Sequence, residues 1–252
     1  MNIRVVKIGG AALADAAWLS AFAQAAASSA APLVIVHGGG PDISSLSDRL
    51  GVEVRWHEGR RVTSAEALDV AGMVLNGRVN KKIVAALVAA GVDAIGLSGI
   101  DGGVLRADVL GGGVLGRVGR VSAVRTSVLL SLLAAGHTVV LSPVSLAADG
   151  DALNVNADDA AAAVASALHA SELVFLTDVP GVHDAGGVRE WLDAGEAEGL
   201  VRSGVAHGGM GVKLSAGVKA LADGVPAVRI GDTAVLFDAG AGTVLRPALG
   251  VA

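Results

Sequence analysis

Three short segments, far apart in the chain, carry the residues best suited to chemistry, and two of them contain glycines beside a lysine. They are Lys7–Gly10 (K-I-G-G), Asn154–Asp158 (N-V-N-A-D) and Gly208–Lys213 (G-G-M-G-V-K). Together they offer two lysines, one carboxylate and several backbone amides free of side chains, which is what stabilising a phosphoryl group during its transfer requires. The chain has only five lysines against fourteen arginines. Lysine in two of these segments therefore runs against the composition, and its compact point charge suits close approach to a phosphate.

A second glycine turn, His37–Gly40 (H-G-G-G), follows the apolar run that begins at Leu33. Three glycines that open a helix form an anion-binding nest with the helix dipole behind it. Two such turns after neighbouring strands would face one site, which favours an anion site over two ordinary strand-to-helix turns. We expect His37 to be a hydrogen-bonded residue at a strand end and not a catalyst.

Arginine and asparagine side chains in two further motifs could bind an acceptor. In Glu58–Thr63 (E-G-R-R-V-T), Arg61 could clamp a carboxylate bidentately, although a solvated arginine at a turn is equally compatible with the residues. Asn156 is predicted to cap the following helix. Capping does not explain Asn154, and the alternation points Asn154, Asn156 and Asp158 toward one side. We expect Asp158 to position two lysines and not to act as a general base that accepts a proton from a substrate.

A nucleotide could be held by the segment Thr177–Val182 (T-D-V-P-G-V), which follows a buried strand. Taken alone, this segment is also compatible with an ordinary turn. There is no Walker A sequence and no G-x-G-x-x-G motif, so neither a P-loop kinase nor a dinucleotide-binding protein is indicated. The six histidines show no metal-ligand spacing, so we expect no metal site built by the protein.

The composition excludes several classes of protein. Hydrophobic residues make up 52% of the 252 residues, which excludes a disordered chain. The most apolar stretch, 11–36, is interrupted by polar residues, and no secretory segment is recognised, so we expect a cytoplasmic protein with no membrane partner. Without cysteine there is neither a disulfide nor a thiolate nucleophile. The net charge of −5 and the lack of a basic cluster argue against nucleic acid as a partner.

Short apolar β-branched runs alternate with alanine-rich helical stretches, which predicts an α/β fold with a mostly parallel sheet. The predicted strands are Ile3–Ile8, Leu33–His37, Ala94–Leu97, Thr138–Leu141, Leu173–Leu176 and Ala227–Ile230. The predicted helices are Asp15–Ser28, Ile43–Leu50, Ser64–Ala90, Val124–Ala135, Ala157–Leu168, Asp193–Ser203 and Val212–Ala222. Two hairpins are expected, Glu53–Trp56 with Arg60–Val62 and Val104–Val109 with Val114–Val121. We expect one body of two lobes, 1–170 and 171–252.

Taken in order, and with G-L-S-G-I-D-G at Gly96–Gly102, these motifs resemble those of the amino-acid kinase family from Ile3 to about Val244. The resemblance implies an open, mainly parallel eight-stranded sheet sandwiched between helices in three layers. It implies an N-terminal lobe that binds an acylated amino acid and dimerises, and a C-terminal lobe that binds ATP. The implied reaction is the ATP-dependent phosphorylation of the γ-carboxylate of N-acetyl-L-glutamate in arginine biosynthesis, with Mg²⁺ carried by ATP. That carboxylate is ionised at neutral pH, so no general base is needed.

The resemblance also assigns roles to matching residues. Lys7 and Lys213 would contact the transferred phosphoryl group, and Asp158 would orient both lysines. Arg61 would clamp the α-carboxylate of the acceptor and Asn154 would bind its backbone-like part. The remaining implied contacts are, for the acceptor, Gly39, Gly40 and Asn156, and, for ATP, Gly9, Gly10, Asp178, Gly181, Gly209 and Met210.

The chain departs from the family at Gly211 and Val212, where isoleucine and proline commonly precede the lysine. It also begins directly at the first strand, whereas arginine-inhibited members carry an additional N-terminal helix that links dimers into hexamers. An arginine-insensitive homodimer is the resulting expectation. Two alternatives stay open: a kinase of an aminoadipyl or glutamyl group linked to a carrier protein in lysine biosynthesis, and a nucleotide-binding sensor or storage protein on the same fold. Carbamate, uridylate and aspartate kinases match the acceptor-side motifs less well.

Overall fold

The computed structural model describes residues 1–57, 60–184 and 186–247. Glu58 and Gly59 of the predicted acceptor motif lie outside the described residues, as does the end of the predicted second lobe beyond residue 247. The strands are β1 (Arg4–Ile8), β2 (Leu33–His37), β3 (Arg55–His57), β4 (Arg60–Val62), β5 (Ala94–Ser98), β6 (Leu105–Val109), β7 (Val118–Val124), β8 (Thr138–Ser142), β9 (Val144–Leu146), β10 (Ala152–Val155), β11 (Glu172–Leu176), β12 (His183–Asp184), β13 (Gly187–Val188), β14 (Trp191–Asp193), β15 (Val228–Gly231) and β16 (Thr243–Arg246). The helices are α1 (Ala16–Ala27), α2 (Gly40–Leu50), α3 (Ala65–Gly72), α4 (Asn80–Ala89), α5 (Thr126–Ala134), α6 (Ala157–Ala167), α7 (Ala194–Arg202) and α8 (Gly208–Ala222), with a π-helical segment, Met73–Val79, between α3 and α4.

Eight strands form one sheet in the order β14-β16-β15-β11-β1-β2-β8-β5. All neighbours are parallel except β15 and β16, which run antiparallel. This confirms the predicted open, mainly parallel eight-stranded sheet. Strand β1 lies in the middle, with Lys7 in register with Val36 of β2 and Phe175 of β11. The chain leaves β1 toward β2 and later returns to its other side as β11, and open α/β sheets bind ligands at such a switch point.

Alternation along the central strands sends side chains into two separate cores. In β1, Val6 and Ile8 pack on one face with apolar residues of α1–α4 and the π-helical segment. Val5 packs on the other face with α5, α6, α7 and α8. Helix α6 buries a run of alanines against the sheet, and their small side chains let its backbone lie close to β1. The predicted three-layer arrangement is therefore confirmed.

A smaller four-stranded barrel, in the order β10-β7-β6-β9, adjoins the second core. The sequence predicted the pairing of β6 with β7, but it placed the start of the second strand too early, at Val114. Residues 111–116 form a turn in which Gly111, Gly112, Gly113 and Gly116 have positive φ, and β7 begins only at Val118. A Cβ on Gly116 would lie 2.3 Å from the carbonyl oxygen of Thr63, so this turn docks directly on the end of β4.

The other differences from the predicted elements are local. Strands β14 and β16, three and four residues long, escaped notice because so short a run carries little periodicity. Helix α5 begins at Thr126 instead of Val124, because β7 continues through Val124. The predicted helix Ser64–Ala90 is interrupted by the π-helical segment.

A nearly buried ion-pair cluster joins the parts assigned to the two predicted lobes. Glu172 on β11 lies between Arg4 on β1, with Nη2 to Oε2 at 2.7 Å, and Arg229 on β15, with Nε to Oε1 at 2.9 Å. The predicted boundary near Ala170 falls in the connection from α6 to β11, and the sheet runs across it without interruption. The division into lobes with separate tasks stays a prediction.

No helix in the described part of the chain is long and apolar enough to span a membrane.

Candidate active site

Three helix and strand ends bring Lys7, Asp158 and Lys213 together. Lys7 is the penultimate residue of β1, Asp158 lies in the first turn of α6, and Lys213 lies in the second turn of α8. Lys7 Nζ is 2.9 Å and Lys213 Nζ 3.6 Å from the same carboxylate oxygen, Asp158 Oδ1. Their side chains are 6%, 8% and 11% exposed for Lys7, Asp158 and Lys213. The predicted grouping of these residues is therefore observed.

Opposing effects act on the charge of Lys7. Burial is the largest and lowers the pKa of its ammonium, the carboxylate of Asp158 raises it, and the nearby ammonium of Lys213 lowers it again. Two ammonium groups around one carboxylate leave a net positive charge at the end of β1. In a site shielded from water, such a preorganised charge stabilises negative charge that develops on a bound anion.

The two glycine turns pack directly against each other beside this cluster. A Cβ on Gly10 would lie 2.9 Å from Gly39 Cα and 3.0 Å from the amide nitrogens of Gly39 and Gly40, so no side chain fits there. Gly39 is held from behind by the π-helical segment, since its Cβ would meet Leu75 Cδ2 at 2.8 Å. Gly9 and Gly40 face open space. The second turn opens α2, whose N-cap residue, Gly39, has no side chain to cap the helix, so the first amides are suited to an anion.

His37 fixes the second glycine turn from within the core. Its ring is fully buried, with Nδ1 3.0 Å from the carbonyl oxygen of Gly38 and Nε2 3.2 Å from Asn80 Nδ2. The carbonyl must accept and the amide must donate, so Nδ1 carries the proton. Burial lowers the pKa of His37 to about 4, which keeps the ring neutral. His37 is thus a hydrogen-bonded residue at a strand end, as predicted.

Arg61 on β4 presents a guanidinium with spare hydrogen-bonding capacity. Its Nη2 donates to Ser44 Oγ at 2.8 Å and to the carbonyl oxygen of Gly40 at 3.3 Å. Nη1 is buried and has no hydrogen-bond partner in the described part of the chain. The indole of Trp56 covers the guanidinium at 4.7 Å. Burial lowers the pKa of Arg61 while Asp48 raises it. The unsatisfied donor is suited to a carboxylate.

The asparagines of the N-V-N-A-D motif have different surroundings. Asn156 caps α6, and its Oδ1 accepts from the amides of Asp158 at 2.8 Å and Asp159 at 3.2 Å. Asn154 lies on β10, where its Nδ2 donates to Thr63 Oγ1 at 3.1 Å. Asp159 pairs with Arg60, whose two terminal nitrogens are each 3.1 Å from Asp159 Oδ2. The start of α6 is thereby joined to β4.

The lining of the same cleft includes Asp178, Gly209 and Met210. Gly181 does not line the cleft, because it is buried under the turn, where a Cβ would approach Thr243 Oγ1 to 2.7 Å. The structure also explains why residue 211 is a glycine: a Cβ on Gly211 would lie 2.9 Å from the carbonyl oxygen of Ala206. This departure from the family therefore fits the first turn of α8 tightly onto the preceding loop.

One cleft of about 700 Å³ collects every predicted site residue except Gly181. Its lining also contains residues that the sequence did not single out, namely Pro41, Ile43, Trp56, Leu75, Val118 and Pro143. No signal in the sequence marked them, because apolar residues become cleft walls only through the tertiary fold. The G-L-S-G-I-D-G motif, Gly96–Gly102, is absent from the lining; it begins within β5 at the edge of the sheet. Within 1–57, 60–184 and 186–247, no three histidine or acidic side chains cluster as metal ligands.

Comparisons with known proteins agree with this geometry. Residues 2–232 match the amino acid kinase family. An acetylglutamate kinase of Chloroflexus aurantiacus is 46% identical over 242 residues, which cover 95% of this chain and 95% of the relative. An acetylglutamate kinase of Roseiflexus sp. is 46% identical over 238 residues, which cover 94% of this chain and 91% of the relative.

Solved structures share the fold. A protein of Streptococcus mutans superposes with a TM-score of 0.84 at 33% identity, covering 97% of this chain and 98% of that one. N-acetylglutamate synthase of Neisseria gonorrhoeae superposes with a TM-score of 0.86 at 27% identity. The match covers all of this chain and 61% of the synthase. Carbamate kinase of Giardia gives 0.76 at 16% identity, covering 98% of this chain and 99% of that one, a likeness of fold alone.

The buried neutral His37 makes stability depend on pH. Its pKa is about 4 in the folded chain against 6.5 for a free side chain, so between these values the unfolded state binds more protons. Stability should therefore fall as the pH is lowered through this window, by roughly 3 kcal/mol from this residue. Urea unfolding at pH 7 and pH 4.5 should show a smaller difference for His37→Asn, which can still donate to the Gly38 carbonyl. An identical pH dependence in the two proteins would contradict this role.

Proposed function

The chain belongs to the amino acid kinase family, and from that premise we propose that it phosphorylates the γ-carboxylate of N-acetyl-L-glutamate with ATP, a step of arginine biosynthesis. Relatives that share 46% of their residues with this chain across nearly its whole length are acetylglutamate kinases. The observation that carries the proposal is the cleft itself. One part of the cleft contains Asp158 between Lys7 and Lys213. Another part contains the guanidinium nitrogen of Arg61 that has no hydrogen-bond partner in the described part of the chain.

We assign the two places to the two ends of the acceptor. Arg61 would bind the α-carboxylate and Asn154 the amide-containing part, which would direct the γ-carboxylate toward the lysines. The γ-carboxylate is already ionised at neutral pH, since a glutamate side chain has a pKa of about 4.3. One of its oxygens attacks the γ-phosphorus of ATP, the bond to the bridging oxygen breaks, and ADP leaves with that electron pair. No proton has to be removed from the acceptor.

Catalysis by this chain would then consist of alignment and charge neutralisation. Lys7 and Lys213 would bind oxygens of the transferred phosphoryl group, while Asp158 keeps both ammonium groups in place. The amides of Gly9, Gly10, Gly39 and Gly40 would receive phosphate or carboxylate oxygens. Asn156 would act through its cap on α6, which positions Asp158.

We place ATP on the side of the cleft formed by Asp178, Gly209 and Met210. Magnesium fits as an ion carried by the nucleotide: the nearest buried carboxylate, Asp158, is already paired with two lysines. When bound, the ion would neutralise phosphate charge. In this arrangement the lobe 1–170 binds the acyl amino acid and the lobe 171–252 binds ATP. A cytoplasmic location stays an expectation.

We also propose a homodimer. Strand β5 ends the sheet with an uncharged sequence, A-I-G-L-S, and such an edge is a ready template for a second chain. Lys81, on helix α4, donates to the carbonyl oxygen of Gly96 on β5. Helix α4 therefore lies beside this edge, and a second chain docked on the edge would also meet the helix. Sedimentation equilibrium should give about twice the chain mass of 24.7 kDa. A monomer at micromolar concentration would overturn this part of the proposal.

Trapping the acyl phosphate with hydroxylamine tests the reaction directly. With MgATP, a hydroxamate should form from N-acetylglutamate, and far less from glutamate, aspartate or N-acetyl-aminoadipate. If N-acetylglutamate gives no product although ATP binds, a carrier-linked acceptor becomes the next candidate. ATP binding without turnover of any acceptor would point to a sensor or storage protein.

Substitutions in the cluster test its roles. Lys7→Ala or Lys213→Ala should lower kcat by about 10²–10³, the scale for losing one preorganised donor. Lys219→Ala is the control, because Lys219 lies on the same helix but is 67% exposed and pairs with Asp223. Asp158→Asn removes the carboxylate charge that raises the pKa of Lys7. That pKa should therefore fall, and the decrease of kcat on the alkaline side of its pH profile should begin at lower pH. A change confined to KM would refute the assignment.

A further inference from the structure

A threonine behind the cleft holds two of the residues assigned to the acceptor. Thr63 follows β4 directly and is fully buried. It is not part of the cleft lining. Its Oγ1 lies 3.0 Å from the carbonyl oxygen of Arg61 and 3.1 Å from Asn154 Nδ2. One hydroxyl therefore joins the strand that carries the guanidinium to the strand that carries the asparagine.

The chemistry of the three groups fixes the direction of both hydrogen bonds. A carbonyl oxygen can only accept, so the single proton of the Thr63 hydroxyl points to Arg61. The oxygen of Thr63 can then only accept from Asn154, which must turn its amide nitrogen toward Thr63. The amide of Asn154 is thereby held in one of its two orientations. Its Oδ1 and second N–H have no partner among the described residues, and Asn154 lines the cleft.

The backbone of Thr63 is held equally firmly. Its N–H donates to the carbonyl oxygen of Leu115 at 3.0 Å, and its carbonyl accepts from the amide of Arg117 at 2.7 Å. Gly116 lies flat against it, since a Cβ there would approach the Thr63 carbonyl oxygen to 2.3 Å. The hydroxyl is thus fixed relative to the barrel that contains Asn154, and it does not need a bound ligand to be in place.

We propose that Thr63 is a positioning residue for the acyl-amino-acid acceptor. It does not touch the acceptor. Its hydroxyl sets the orientation of the Asn154 amide and anchors the main chain of Arg61, so both acceptor contacts depend on one proton. The inference rests on the proposed function, because it takes Arg61 and Asn154 as the acceptor-binding residues.

The pair Thr63→Val and Thr63→Ser separates the hydroxyl from the shape of the side chain. Valine keeps the shape and leaves the amide of Asn154 and the carbonyl of Arg61 without a partner. The KM for N-acetylglutamate should rise about tenfold, because the acceptor would then have to order the Asn154 amide itself, at a cost comparable to the net worth of about one hydrogen bond. Both kcat and the KM for MgATP should stay within about twofold. Serine keeps the hydroxyl and should restore the acceptor KM.

Thr243 supplies a matched control in the second lobe. It is equally buried, and its hydroxyl also accepts from an amide, Val182 N at 2.8 Å, and donates to a carbonyl, Arg189 O at 2.6 Å. Thr243→Val should lose similar stability in thermal unfolding but leave the KM for the acceptor unchanged. If both valine variants raise the acceptor KM alike, or if Thr63→Val lowers kcat and both affinities together, the positioning role is wrong.

A second measurement needs no variant and does not depend on activity. Neutron diffraction from deuterium-exchanged wild-type crystals should show the Thr63 deuteron directed at Arg61 O and an Asn154 deuteron directed at Thr63 Oγ1. A Thr63 deuteron directed at Asn154 would overturn the proposal even if Thr63→Val did not fold. Absence of wild-type turnover of N-acetylglutamate would instead count against the proposed function, so the two failures are distinguishable.

Discussion

The site is arranged around the ion pairs that the carboxylate of Asp158 forms with Lys7 and Lys213. Two ammonium groups cannot be buried close to each other unless an opposite charge compensates them, because desolvation and mutual repulsion both disfavour their charged forms. Asp158 supplies that charge to Lys7 and Lys213 through a single oxygen. The three residues come from β1, α6 and α8, so the central strand and two helices of one layer must meet at this point. The alanine-rich face of α6 and the cap by Asn156 allow that approach.

A second constraint is the contact between the two glycine turns. Gly10 touches the backbone at Gly39 and Gly40, and Gly39 in turn lies on Leu75 of the π-helical segment. A side chain at Gly10 or Gly39 would separate the turns and move their amides away from the lysines. The helix behind them widens into π geometry where it supports Gly39, and π-helical turns occur frequently at functional sites. His37 completes this support with a hydrogen bond to Gly38 from inside the core.

The sequence predicted what depends on local chemistry and failed where distant contacts decide. Glycine turns at the ends of apolar runs, with lysine inside the motifs, were sufficient to predict that Lys7, Asp158 and Lys213 share one site. The central strands followed from their apolar runs. The π-helical segment and the late start of β7 were not predicted because they depend on tertiary packing, and β14 and β16 were not predicted because they are too short to show periodicity. Gly181 illustrates the opposite error: a glycine in a turn suggested a ligand, but its neighbour Thr243 explains it.

The two ends of the cleft are held by different kinds of interaction, and this should separate their effects on function. The end that we assign to the phosphoryl group is built on the central strand of an eight-stranded sheet, where main-chain hydrogen bonds on both sides fix Lys7. The end that we assign to the acceptor combines the antiparallel strand pair β3–β4 with Asn154 on β10. Besides the two main-chain hydrogen bonds of Thr63, directly after β4, this strand pair is joined to the body by side chains: Arg61 to Ser44, Arg60 to Asp159 and Thr63 to Asn154. Changes in these side-chain contacts can alter which acceptor is bound while the transfer chemistry stays intact. With the assignments proposed above, the part held by the central sheet would carry the reaction and the part held largely by side chains would carry the choice of substrate, so one scaffold could serve kinases of different small carboxylates.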